Sequence, residues 1–184
     1  MSSDVSLGQA HESEVTLRKA GATVENFWDP IAKNEGLARK VVELVAAAVK
    51  LVFRLVAGFD HDMRKNGWTL VSDSDAQDGE FTPELAEFLK NDDNYIGGEE
   101  MLKRATELGD CAGQRHAEAI LRDSSKFPEE SRKYVLVFTD TVWRGSDGCR
   151  RVACLCWRGG RWCLDFFWLG HGFYRDCRLV RLRK

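Results

Sequence analysis

The chain has 184 residues, 43% of them apolar and 30% charged, and a formal net charge of −2. That length buries a sizeable core, which excludes a miniature scaffold dependent on disulfides and leaves an ordinary globular protein of one or two domains. The small net charge hides a division: residues 1–130 carry 15 Lys and Arg against 25 Asp and Glu, whereas residues 131–184 carry 12 against 4.

Residues 1–21 are polar, Ser-rich and without apolar periodicity, which predicts a mobile leader. They show no basic and apolar secretory pattern, so a cytoplasmic protein with reduced thiols is expected. Phe27 and Trp28, ahead of Pro30, suit an anchoring segment. Leu37–Phe59 is the strongest helix signal. Arg39, Glu43, Lys50 and Arg54 fall on one narrow stripe and the remaining circumference is apolar. Lys50 and Arg54 would lie within the hydrocarbon of a bilayer, so no membrane span is expected. A core helix, or one that self-associates with the same helix of a second subunit, is the expectation.

Trp68–Val71 reads as a short strand. Asp73, Asp75 and Glu84 stand at positions one, three and twelve of a calcium-loop pattern, but Asp78 occupies the position that needs glycine, and a solvated acidic turn is expected instead. Thr82-Pro83-Glu84 reads as a capped helix start running to about Lys90. Glu99–Leu108 and Gly113–Arg122 read as two helices joined through Gly109-Asp110-Cys111. The spacing of Ala105 and Gly109 fits a helix-turn-helix unit, yet Arg115 and the acidic surroundings do not. A helical hairpin packing Met101, Leu102, Leu108, Ala117, Ile120 and Leu121 is expected.

Tyr134–Trp143 is a long strand candidate, and Arg150–Leu169 is a hairpin with Gly159-Gly160 as its two-residue turn. That turn sets a register: Arg158 opposite Arg161, Trp157 opposite Trp162, Cys156 opposite Cys163, Cys154 opposite Asp165. One face then carries Trp157, Trp162, Leu155, Leu164, Ala153, Phe166 and Trp168 and belongs to a core. The other carries Arg158, Arg161, Cys156, Cys163, Cys154, Asp165, Val152 and Phe167, and is the face on which a site is expected. Cys177–Leu182 makes a final strand. The expected organisation is a leader over 1–21, a helical region over 22–130 and an antiparallel sheet module over 131–184. The fold class is α+β, with a helical N-terminal part followed by a C-terminal antiparallel meander of about four strands.

The strings Gly98-Glu99-Glu100-Met101, Leu108-Gly109, Gly113-Gln114, Ala117-Glu118, Tyr134-Val135-Leu136-Val137-Phe138, Thr141-Val142-Trp143-Arg144, Arg161-Trp162, Trp168-Leu169 and Arg178-Leu179-Val180-Arg181 resemble a C-terminal module of uncharacterised bacterial proteins. The resemblance covers about residues 98–184. It implies a bacterial, cytoplasmic protein and brings no activity, cofactor or catalytic residue.

No nucleophile elbow, phosphate loop, dinucleotide fingerprint or zinc-protease motif is present. A Cys nucleophile would have His171 as its only nearby base, with Cys163 or Cys177. With no assembled active site, a non-enzymatic interaction or scaffold protein is expected, oligomeric or bound to an acidic protein. Arg150, Arg158, Arg161, Arg178 and Arg181 are the basic residues that would meet that partner, or a nucleic acid whose bases stack on the neighbouring aromatics. Cys154, Cys156 and Cys163 share one face and converge. They are either free thiols or zinc ligands completed by Asp165, Cys149, His171 or Cys177, and free thiols are expected because their spacing matches no common zinc module.

Overall fold

The computed structural model describes residues 51–73, 78–90 and 93–183. They form ten strands, two short α-helices and three 3₁₀ turns. The organising strand is β6 (Val135–Arg144), whose β-branched and aromatic run suits a central position. It pairs antiparallel with β7 (Arg150–Arg158), which turns through Gly159 and Gly160 into β8 (Arg161–Trp168). The other side of β6 is shared. Its first residues pair in parallel with β10 (Cys177–Leu182), Val135 against Cys177, and its last residues pair antiparallel with β2 (Thr69–Ser72), Arg144 against Thr69. Beyond β10 lies β4 (Pro83–Ala86), also antiparallel. Two small ribbons accompany this sheet: β1 (Phe53–Leu55) with β3 (Gly79–Phe81), and β5 (Tyr95–Gly97) with β9 (Gly172–Tyr174).

Both faces of the sheet are buried. On one, α1 (Gly98–Leu108) lays Met101 and Ala105 on Val137, Val152, Cys154 and Leu179. On the other, α2 (Gln114–Arg122) lays Ala117 and Ile120 on Leu136, Phe138, Leu155 and Trp162, with Phe53 and Phe127 beside them. Residues alternate between the faces along each strand, so β7 sends Val152, Cys154 and Cys156 to the α1 side and Ala153 and Leu155 to the α2 side. A strand buried on both faces reads as a near-continuous apolar run, which Val152-Ala153-Cys154-Leu155-Cys156 does.

The expected fold class is overturned. Five short strands and no α-helix occupy the described residues of 53–97, and the two helices lie between β5 and β6 in mid-chain. The expected helix over Leu37–Phe59 lies outside the described residues up to Lys50; beyond that, Phe53–Leu55 is a strand that buries Phe53 and Leu55 and turns Arg54 outward. The expected helix after Thr82 is β4. Pro83 stands at the start of an edge strand, where its missing N–H costs no ladder bond. The sheet is also not a simple meander, because β10 returns in parallel beside β6. The two helices form at their expected positions but do not pack as a hairpin: α1 and α2 cover opposite faces. The link between them crosses the sheet margin, with Ala112 N donating to Val180 O at 3.0 Å and Cys111 bridging to Arg181.

Candidate functional site

The β7–β8 hairpin has the register expected of its Gly-Gly turn, from Arg158↔Arg161 through Trp157↔Trp162 and Cys156↔Cys163 to Arg151↔Trp168. Gly159 and Gly160 take φ of 58° and 79°, the left-handed pair that a two-residue hairpin turn requires. Trp157 and Trp162 meet edge to face at 5.6 Å between ring centroids, and the Arg132 guanidinium stacks 4.2 Å above Trp157.

The thiols divide in two. Cys154, Cys156 and Cys177 are buried in the same apolar cluster as Met101 and Ala105 of α1. Burial raises all three thiol pKa values, Cys177 to about 11. Cys163, at the outer strand, is half-buried. Among the described residues, no group of three or more His, Cys, Asp or Glu side chains is arranged to hold a metal ion.

The arginines divide as well. Arg150 pairs with Glu99 on α1. Arg178 pairs with Glu87 at 2.8 Å and stacks 4.1 Å over Tyr134. Arg181 Nε donates to Gly109 O at 2.9 Å, and Arg158 pairs with Asp165 at 3.3 Å. Arg161 is exposed and has no acidic partner among the described residues. Four of the five candidate arginines thus hold the fold's own groups, and one points outward at the hairpin end.

What these residues share is β8. Among the described residues it has a strand neighbour, β7, on one side only. With a two-residue turn, the closing pair Arg158 and Arg161 is a hydrogen-bonded pair, so odd-numbered residues of β8 turn their N–H and C=O to β7. Leu169 N donating to Arg150 O at 2.9 Å shows the same parity. Trp162, Leu164, Phe166 and Trp168 therefore direct theirs to the open side. The Asp165 carboxylate folds back to accept from Phe166 N at 2.8 Å, guarding one of these groups.

A cleft lies on each face of this edge. One, of about 540 Å³, is walled by His61, Asp62 and Lys65 against Trp162, Leu164 and Phe166. The other, of about 660 Å³, is walled by Asp147, Cys149, His171 and Tyr174 against Phe167 and Trp168. His171 and Cys177 both line this second cleft, whereas Cys163 borders the first.

A buried polar network supports the first cleft. Glu118, 2% exposed, accepts from the backbone N–H groups of Asp60 and His61, both at 2.9 Å, and from Gln114 Nε2 at 2.7 Å. Gln114 Nε2 also donates to His61 O at 2.8 Å, so one turn of α2 holds the cleft wall from beneath. The register shift in β6 between Phe138 and Val142 brings Thr141 to the start of this helix. There Thr141 Oγ1 accepts from Gln114 N at 2.9 Å and donates to Asp73 Oδ1 at 2.6 Å. Asp73 also pairs with Arg115 at 3.2 Å, so it faces inward and not into an acidic solvent turn. Gln114 and Glu118 stand four apart on one predicted helix, a spacing that puts them on one face but does not reveal the loop they hold. No family model, curated protein or solved structure matches the chain.

Proposed function

We propose that the chain is a non-enzymatic interaction protein that takes an extended polypeptide segment as an added strand along β8. The observation that carries this reading is a long strand with one free side among the described residues and a cleft on each face. An added strand would take main-chain bonds from Trp162, Leu164 and Trp168, and its alternate side chains would fall to the two clefts. The anchored state of Arg150, Arg158, Arg178 and Arg181 favours a protein partner over a nucleic acid, because phosphate binding would have to displace in-chain acceptors.

Displaying a library of extended peptides against the purified protein tests it. Binders are expected to shift the amide resonances of Trp162, Leu164 and Trp168 and leave those of β4 unmoved. Leu164→Pro removes an outward N–H at an edge position and is expected to abolish binding. Binders that survive Leu164→Pro and shift another surface would sink the reading.

A further inference from the structure

We infer that one occupant of this edge is β8 of a second copy of the chain, antiparallel and centred on Cys163; the inference rests on the edge reading above and names its partner. Two copies related by a two-fold axis perpendicular to the sheet place like faces together, so even residues of one β8 pair with even residues of the other. Three registers then bring the middle of the strand together. Centring on Asp165 sets two carboxylates directly opposite, which is repulsive. Centring on Leu164 sets Arg161 against Phe167 and draws on the Phe166 N–H, which Asp165 already occupies. Centring on Cys163 sets Arg161 of each copy opposite Asp165 of the other.

That last register uses what the monomer leaves over. Arg161 lacks an acidic partner among the described residues, and the Asp165 side chain is 43% exposed with only Arg158 beside it at 3.3 Å. The inner hydrogen bonds come from Trp162 and Leu164, whose N–H and C=O groups point outward, and the Asp165 cap on Phe166 stays in place. Phe166 of each copy falls opposite Gly160 of the other, and a Cβ built on Gly159 or Gly160 meets nothing within 4 Å, so the turn leaves room for the ring. Cys163 meets itself at a non-hydrogen-bonded position, where Cα atoms lie about 4.5 Å apart, inside the span of a disulfide.

Sedimentation of the full chain over a wide concentration range, joined to crosslinking with diamide, tests the inference. Diamide accepts the two hydrogens released as two Cys163 thiols join in one S–S bond. The expected result is a reversible dimer that diamide locks through a Cys163–Cys163 peptide, absent in Cys163→Ser. Arg161→Glu replaces two exposed ion pairs by like charges and is expected to weaken the dimer by about tenfold, whereas Arg161→Lys keeps it. A chain that stays monomeric while selected peptides still shift the edge amides overturns self-pairing and leaves the edge reading standing. A dimer without the Cys163 crosslink, or indifferent to Arg161→Glu, overturns this register. Failure of both peptides and dimer to reach β8 overturns the edge reading itself.

Discussion

Trp143 donates its indole N–H to Gln114 Oε1 at 2.6 Å, and both side chains are fully buried. The bond ties β6 to α2 and orients the Gln114 amide so that its nitrogen reaches Glu118 and His61 O. Trp143→Phe keeps an aromatic ring in the core and removes the donor. The orphaned oxygen alone is expected to lower the unfolding free energy by about 1–3 kcal/mol. Urea denaturation measures it, and unchanged stability would show that the bond holds nothing.

His116 is 2% exposed, accepts from Gly113 N at 3.1 Å through Nδ1, and meets Phe81 edge to face at 4.8 Å. Burial, with the neighbouring Arg115 charge, lowers its pKa from 6.5 to about 4. The folded protein therefore refuses a proton that the unfolded chain accepts. Stability is full above pH 6.5, is lost as pH falls toward 4, and is flat below that for this group. The loss is expected to be about 3 kcal/mol. His116→Gln keeps an acceptor at the third helical position and is expected to flatten the curve over that window. Denaturation midpoints across pH check it, and parallel curves for the two proteins would contradict it.

Gly98 opens α1 against the turn after β8, with its N–H on Leu169 O at 3.1 Å. A Cβ there would stand 2.4 Å from Leu169 O and 2.6 Å from Leu169 Cα, which are backbone atoms that cannot swing aside. Gly98→Ala is expected to cost about 1–3 kcal/mol, as overpacking does. At Gly97, where a Cβ meets nothing within 4 Å, alanine is expected to be nearly neutral. Thermal unfolding of the two variants side by side separates contact from chain entropy; equal losses would refute the contact argument.

The hairpin was legible residue by residue because a Gly-Gly turn determines which residues oppose one another, and Arg158↔Arg161 through Trp157↔Trp162 follow from it. The helices α1 and α2 were legible from their apolar spacing. Their placement was not: the link through Cys111 and Ala112 is bonded to β10, a partner more than sixty residues away that no local pattern reveals. The same distance hid β4, since Thr82-Pro83-Glu84 carries a helix-start pattern that its pairing with β10 overrides. Of the expected site face, Cys154 and Cys156 proved to be core, whereas Arg161, Cys163, Asp165 and Phe167 lie on the edge strand itself.

The cysteines give the last prediction. Cys154 is fully buried, and burial is the first cause of the raised pKa at Cys154, Cys156 and Cys177. Alkylation proceeds through the thiolate, so a raised pKa and a closed core act in the same direction. At pH 8 iodoacetamide is expected to modify the half-buried Cys149 and Cys163 first, and Cys177, with a pKa near 11, on the order of a hundredfold more slowly than an ordinary free thiol. In denaturant all six should react alike. Peptide mass spectrometry over time measures each site. Zinc added beforehand is expected to leave Cys163 reactive, since Cys154 and Cys156 are packed in the core and their protons are held by burial. Joint protection of Cys154, Cys156 and Cys163 by zinc would mean that the core opens to bind metal, and would return the thiols to the centre of the functional question.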